Sequence, residues 1–259
     1  MAILADENVR VIVQGITGRE ASTFTKDMMD YGTHVVAGVT PGKLGQTVHG
    51  VAVYDTVRQA LKAHPAEASV ISVPPALVKD AVIEALDNGI KLVVVISERV
   101  PRKDTIEFLE VAGENNARVI GPNTLGLISP GKIKLGMAGG PVGDVEKAYM
   151  PGFVGIASRS GGMTTEVANL LTANGIGQST CIGIGGDPVV GSNFLDLIPL
   201  FENDPETKVV VLFSEPGGVI EENLSELVMA EKFQSPYPGH NLQRPVRLKI
   251  PDSIRPLQL

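Results

Sequence analysis

Short apolar runs alternate with amphipathic segments along the first 120 residues. Runs made mainly of Val, Ile and Leu occupy residues 9–13, 35–39, 70–73, 92–96 and 119–120. Between the runs, apolar residues recur at helical spacing, which predicts helices over residues 20–31, 56–63, 75–88 and 103–115. Such alternation is typical of a parallel sheet with crossover helices, and the nearly continuous apolar strands indicate burial on both faces. The pattern predicts a doubly wound α/β domain over residues 1–125.

The pattern breaks at residues 126–150 and then resumes. Glycines and prolines interrupt the periodicity there, which predicts a linker with a hairpin around residues 133–137. A second α/β domain is predicted over residues 151–233, with strands over 153–157, 179–184 and 209–213 and helices over 163–173, 193–202 and 219–232. The tail, residues 234–259, contains five prolines and no sustained period, so no further strand is predicted and the second domain is expected to be incomplete.

Charge and composition exclude several classes of protein. A formal net charge of -7 provides no basic surface for nucleic acid or for an anionic membrane. No apolar stretch approaches the roughly 20 residues needed to cross a bilayer. The first ten residues include Asp6 and Glu7 and lack the pattern of a signal or transit peptide, so a cytoplasmic protein is expected. The single cysteine, Cys181, lies in a strand pattern and is expected to be a buried hydrophobe, and no metal site is predicted.

A glycine turn follows the first predicted strand and opens a helix. In Gly15-Ile16-Thr17-Gly18-Arg19-Glu20, free backbone N–H groups and the helix dipole favour a phosphate. After the second strand, Lys43 lies where an NAD-binding protein would place an acidic residue for the ribose hydroxyls. A cation there suits a ligand with a phosphorylated ribose, and both CoA and NADP fit. The alternative is that the glycines serve only tight packing of helix against strand.

Three loops of the second half are predicted to lie at one sheet edge. They are residues 158–162, 183–188 and 214–218, which offer hydroxyls, a cation and helix N-terminal amides to an anion. These loops predict a second anion site. The P-loop pattern G-x-x-x-x-G-K-[ST] is absent, so binding of a nucleoside triphosphate is expected to need a partner.

Several of these segments, in the same order, resemble the alpha subunit of succinate-CoA ligase. The similar segments are residues 11–18, 39–43, 120–123, 158–161 and 177–188, and the resemblance extends from about residue 1 to residue 233. It implies an N-terminal Rossmann-like CoA-binding domain followed by a flavodoxin-like ligase domain, in a subunit of an acyl-CoA synthetase of the tricarboxylic acid cycle. It also implies an ATP-grasp beta subunit that binds ATP or GTP with Mg, and a small carboxylic acid as substrate.

The resemblance also implies roles for individual residues. By position, the CoA contacts are Thr17, Gly18, Arg19, Glu20, Lys43, Ile96, Ser97 and Glu98. Ser158 and Ser160 match hydroxyls near a phosphohistidine, and Glu215 matches the glutamate that orients it. Thr165 lies in the substrate loop where the family often has tyrosine, which leaves the acid open and keeps malate- and citrate-using relatives as alternatives.

The phosphohistidine itself is the main departure from the family pattern. The Gly-His-Ala-Gly-Ala segment expected downstream of Glu215 does not occur, and Pro238-Gly239-His240-Asn241 shares only Gly-His with it. Three hypotheses follow: a ligase subunit, a CoA-binding module that the altered tail leaves inactive, and an NADP-type oxidoreductase.

Overall fold

The computed structural model of the protein describes residues 2–215, 222–224 and 226. Most of the predicted helix over residues 219–232 lies outside these residues. The predicted tail, residues 234–259, lies wholly outside them, and His240 with it.

The first sheet is built from the first 120 residues. Its strands are β1 Arg10–Gln14, β2 His34–Val39, β3 Thr47–Val48, β4 Val51–Tyr54, β5 Ala68–Ile71, β6 Leu92–Val95 and β7 Arg118–Ile120. Its helices are α1 Arg19–Asp30, α2 Val57–Ala63, α3 Val78–Asp87 and α4 Arg102–Glu114, with a 3-10 turn, Pro75–Leu77, before α3. The strand order is β3-β4-β2-β1-β5-β6-β7, and every pair is parallel except β3 with β4. The five predicted apolar runs form β1, β2, β5, β6 and β7, whereas β3 and β4 are not among the predicted strands.

Both faces of the first sheet are covered, as the apolar strands predict. Val11 and Val13 point into a core shared with Phe24 and Met28 of α1. Ile12, between them, points into the opposite core, which α2, α3 and α4 supply. Because successive side chains of a strand point to opposite faces, one short apolar run fills both layers. The doubly wound α/β fold is confirmed.

The second sheet begins with a hairpin. Its strands are β8 Gly126–Ser129, β9 Ile133–Gly136, β10 Pro151–Ser158, β11 Gln178–Gly183 and β12 Val209–Phe213, and its helices are α5 Val142–Ala148, α6 Gly161–Ala173 and α7 Phe194–Asn203. In the described residues the strand order is β12-β10-β11-β8-β9. Strand β10 is parallel to β11 and β12, whereas β8 is antiparallel to both β11 and β9. The hairpin therefore belongs to the second sheet, and α5 is a helix that the sequence pattern does not predict.

The two sheets are packed together through α1 and β9. The Thr33 hydroxyl donates to the Lys134 carbonyl at 2.7 Å, and the Gly136 N–H donates to the Met28 sulfur at 3.1 Å. The core around Phe24 also includes Leu135 of β9, so apolar packing continues from one sheet to the other. This packing fixes how the strand ends of one sheet face those of the other.

Candidate functional site

The glycine turn lies at the topological switch point of the first sheet. Strand β1 is flanked by β2 on one side and β5 on the other, so the loops after β1 diverge there and leave a crevice at the carboxyl ends of the strands. Gly15 has φ +81°, and a Cβ atom on it would lie 2.1 Å from the Ser72 carbonyl oxygen. Only glycine fits this position. Gly18 is the N-cap of α1 and provides no side-chain cap, so the first amides of the helix are left for another acceptor.

Three neighbouring loops complete what we call the first edge, the carboxyl ends of β1, β2, β5 and β6. The hydroxyls of Thr17 and Thr40 are 3.3 Å apart, and the Ser72 hydroxyl donates to the Glu20 carboxylate at 3.0 Å. Lys43 is exposed, and its backbone N–H donates to the Asp55 carboxylate at 3.0 Å, which fixes the loop after β2. The glycine turn and Lys43 therefore lie at the same edge of the sheet.

The loop after β6 contributes mainly its backbone. Ile96 is 5% exposed and packs in the core, and the Ser97 hydroxyl donates to the Val73 carbonyl at 2.6 Å. Glu98 is exposed, and its carboxylate lies 3.5 Å from the Arg99 guanidinium. Of these three predicted residues, only Glu98 presents its side chain to solvent. A ligand at this loop would contact Ile96 and Ser97 only through their backbone groups.

The second edge consists of the carboxyl ends of β10, β11 and β12. Ser158 is fully buried, and its hydroxyl donates to the Ser160 carbonyl at 2.8 Å and accepts from the Ser160 N–H at 3.2 Å. Ser160 is the N-cap of α6, and its side chain accepts from the Met163 N–H. Ser158 therefore shapes the turn, and Ser160 caps the helix whose first amides face this edge. Glu215 follows β12 and is exposed.

Thr165 does not present a free hydroxyl. Its oxygen lies 2.9 Å from the hydroxyl oxygen of Tyr149, a residue that directly follows α5. Tyr149 is 4% exposed, and burial raises the pKa of its phenol, so the hydroxyl stays protonated. The structure thus brings a tyrosine hydroxyl to Thr165, the residue predicted to lie in the substrate loop. No sequence signal marks this pair, because α5 itself is not predicted.

A connecting loop, residues 121–124, joins the two edges. The Gly121 N–H donates to the Ile184 carbonyl at 3.1 Å, and the Thr124 hydroxyl donates to the Gly183 carbonyl at 2.5 Å. The Asn123 side-chain amide donates to the Asp187 carboxylate at 2.9 Å, and the Arg159 guanidinium donates to the Asp187 carbonyl at the same distance. Asn123, Arg159 and Asp187 lie within the segments that resemble the family, and this resemblance is the sequence signal that could have identified them. Their spacing along the chain does not predict that they contact one another.

The described residues show no metal site, no reactive cysteine and no membrane-spanning helix. No group of three or more His, Cys, Asp and Glu side chains is arranged there to hold a metal ion. Cys181 is fully buried, and burial raises the pKa of its thiol, which confirms that it is a core residue and not a thiolate. Within the same part of the chain, no helix has the length and apolar character to cross a membrane.

Comparison with known protein families gives two matches, one for each half of the chain. Residues 6–99 match the family described as CoA binding domain, and residues 157–243 match the family described as CoA-ligase. The first match contains the first edge, and the second contains the three loops of the second edge.

Individual relatives match over most of the chain. A subunit of an ADP-forming sulfoacetate-CoA ligase from Acholeplasma sp is 46% identical over 91% of this chain and 79% of its own length. The ADP-forming succinate-CoA ligase subunit alpha 2 of Archaeoglobus fulgidus is 49% identical over 88% of this chain and 77% of its own length. Among solved structures, the ATP citrate lyase of Methanothrix soehngenii in complex with citrate and coenzyme A has a TM-score of 0.82 and 28% identity, and the match covers 90% of this chain and 40% of that chain.

Proposed function

This chain belongs to the family of ADP-forming acid-CoA ligase alpha subunits, and on that premise we propose that CoA binds at the first edge and the acid reacts at the second. The chain is an acyl-CoA synthetase subunit with a CoA-binding domain followed by a ligase domain. The observation that carries the proposal is the glycine turn at the switch point, where Gly15 leaves no room for a side chain and α1 begins without a side-chain cap.

At the first edge, the proposed contacts are with the phosphates of CoA. The first amides of α1, after Thr17 and Gly18, would donate to a phosphate, and Lys43 and Arg19 would add charge. Glu20 is held by the Ser72 hydroxyl, which keeps its carboxylate at the rim of the turn. Backbone groups of Ile96 and Ser97, and the Glu98 side chain, would then line the path toward the second edge.

At the second edge, we propose stabilisation of an anion that gains charge during phosphoryl and acyl transfer. The amides at the start of α6 and the glycine loop after β11 are rigid donors, since Ser158, Ser160 and Arg159 fix both turns. When CoA is bound, its thiol supplies the nucleophile that attacks the activated acyl group. Glu215 and Thr165 are proposed to act at this edge, Thr165 together with Tyr149 and Glu215 at the position that orients a phosphohistidine in the family, although the matching histidine segment does not occur downstream of it in this chain.

The acid is proposed to be a small carboxylic acid. The relatives include ligases named for succinate and for sulfoacetate, at similar identity to this chain. Both names denote short acids with a second anionic group, so an acid of this kind is the proposed substrate. A place in the tricarboxylic acid cycle follows only if the acid is succinate.

A direct binding experiment tests the proposal. CoA and NADPH are titrated separately into the purified chain by calorimetry. We expect saturable binding of CoA and none of NADPH at the same concentrations. Binding of NADPH with no binding of CoA would contradict the assignment and favour an NADP-type oxidoreductase.

The partner is proposed to be an ATP-grasp beta subunit that holds ATP or GTP with Mg. The succinate-CoA ligase relative is named as an alpha subunit, and the sequence has no P-loop of its own. A cytoplasmic location is proposed for the complex. Co-expression with a candidate beta subunit, followed by sedimentation, should give one species heavier than either chain, and two separate species would contradict the partnership.

A further inference from the structure

The two edges are joined by a continuous series of short contacts that begins at the glycine turn. Glu20 accepts from the Ser72 hydroxyl at 3.0 Å, and the next residue, Val73, exchanges hydrogen bonds with the Ser97 hydroxyl at 2.6 and 3.1 Å. The Ser97 carbonyl then accepts from the Asn123 N–H at 2.9 Å. A change at the start of α1 is therefore linked to Asn123 through groups in direct contact.

Two further hydrogen bonds of Asn123 connect this series of contacts to the second edge. Its carbonyl accepts from the Gly186 N–H at 3.1 Å, and its side-chain amide donates to the Asp187 carboxylate at 2.9 Å. The Asp187 carbonyl in turn accepts from the Arg159 guanidinium, which lies in the turn before α6. Asn123 thus hydrogen-bonds to the first edge through its backbone N–H, and to the second edge through its carbonyl and its side-chain amide.

The backbone around Asn123 has little freedom to absorb a displacement. A Cβ atom on Gly121 would lie 2.4 Å from the Val95 carbonyl oxygen, and one on Gly185 would lie 2.2 Å from the Pro122 carbonyl oxygen. Asn123 itself has φ +56°, a left-handed conformation that asparagine tolerates better than most residues. Because packed backbones of this kind do not deform continuously, a shift of the loop after β6 moves the glycine loop with it.

We propose that Asn123 is a positioning residue through which a ligand at the first edge orders the glycine loop of the second edge. The proposal rests on the proposed function, since it takes the first edge as the site of CoA. Its consequence is that the donors for the reacting anion are set in place when the ribose phosphate end of CoA binds, ahead of the thiol.

Hydrogen exchange measured by mass spectrometry tests this with adenosine 3′,5′-bisphosphate, which has the phosphorylated ribose of CoA but lacks the arm that reaches the second edge. In the unmodified chain, saturating bisphosphate should slow exchange in peptides covering residues 15–22. It should also slow exchange at residues 183–192 by about fivefold or more, the lower end of ordinary coupling between sites.

Two variants remove the side-chain link of the series and one preserves it. Asn123→Gly keeps the left-handed backbone and its bonds to Ser97 and Gly186 but removes the side-chain amide, and Asp187→Ala removes the acceptor of that amide, so both should reduce the slowing at residues 183–192 to below twofold and keep it at 15–22. Asp187→Asn retains an acceptor oxygen and should behave as the unmodified chain. Asn116→Gly is the matched control, because Asn116 also has positive φ, at 48°, and is exposed after α4.

The outcomes are distinct. Slowing at residues 183–192 that persists in both Asn123→Gly and Asp187→Ala would overturn the inference, as would slowing confined to residues 15–22 in the unmodified chain. An absence of slowing at residues 15–22 would overturn the CoA assignment itself, and the inference with it.

Discussion

Lys43 is the charged side chain that we propose selects among related ligands. It is exposed at the first edge, in a loop that Asp55 fixes by accepting from two successive backbone amides. A lysine there attracts a ribose phosphate, whereas an acidic residue would favour unmodified ribose hydroxyls. The loop is held in place by its backbone, so the side chain can be changed without disturbing the turn.

Lys43→Ala should weaken CoA binding, because a charge-assisted phosphate contact contributes about 1.5–3 kcal/mol, roughly a ten- to hundredfold change in affinity. Calorimetric titration measures the change. Lys62→Ala serves as the control, since Lys62 is exposed on the last turn of α2, at the opposite end of the sheet. Affinities of the two variants that agree within twofold would refute a role for Lys43.

Lys134 is a cation that the fold buries completely. It is 0% exposed on β9, its ammonium donates to the Gly140 carbonyl, and burial lowers the pKa of its amine to about 8 from 10.5. Asp27 of α1 opposes this shift electrostatically. Below pH 8 the folded protein must hold the charged form in a poorly solvated site, and this costs stability.

The free energy of unfolding should therefore rise with pH between about 8 and 10.5, since there the unfolded chain binds more protons at this lysine than the folded chain does. The slope approaches about 1.4 kcal/mol per pH unit. Denaturant unfolding from pH 7 to 9.5 measures it, with Lys134→Met as the variant that lacks the rise and Lys62→Met as the control that keeps it. Curves for the unmodified chain and Lys134→Met that stay parallel would show that Lys134 is not the source.

The turn from β1 into α1 depends on close approach of two backbones as well as on φ. Gly15 and Gly89 both have positive φ, at 81° and 88°. A Cβ on Gly15 would lie 2.1 Å from the Ser72 carbonyl oxygen, whereas a Cβ on Gly89 would have no atom within 4 Å. The same substitution at Gly15 and at Gly89 therefore separates the effect of positive φ from the effect of the close approach to Ser72.

Gly89→Ala should cost about 1 kcal/mol of unfolding free energy through its φ alone. Gly15→Ala should cost about 3 kcal/mol or more, because β1 and β5 must move apart as well, and it should also weaken CoA binding. Denaturant unfolding and calorimetry report the two effects. Equal losses of stability in the two variants would mean that the close approach to Ser72 is unimportant.

For the whole molecule, the main chemical question is whether a histidine of this chain accepts a phosphoryl group. A phosphohistidine needs rigid donors at about 3 Å, and the second edge is where we propose that such donors lie. His240 comes only 25 residues after Glu215 and lies in a proline-rich sequence without the family's Gly-His-Ala-Gly-Ala segment. We therefore predict that His240 is not phosphorylated to stoichiometry.

Incubation of these 259 residues with a beta subunit, Mg and labelled ATP measures this directly. Acid-labile label should be low and should be the same in the unmodified chain and in His240→Asn. Stoichiometric label that disappears in His240→Asn would identify His240 as the phosphorylated residue and contradict the prediction.

Sequence by itself determined the features that depend on local period and backbone conformation. Alternation of apolar runs with helical spacing predicts β1, β2, β5, β6 and β7 of the first sheet, because a run buried on both faces needs apolar residues at every position. The turn at Gly15 is likewise visible, since glycine permits positive φ and a phosphate favours a helix start.

Tertiary structure decided the features that depend on partners far apart in the chain. The hairpin around residues 133–137 is predicted, but the burial of Lys134 on β9 is not; α1 packs against this strand, and the Lys134 ammonium donates to the Gly140 carbonyl. Asn123 and Asp187 are 64 residues apart, and Tyr149 reaches Thr165 from a helix that the pattern does not predict. A local period fixes the face on which a side chain lies, whereas the packing of one element against another decides what that face meets.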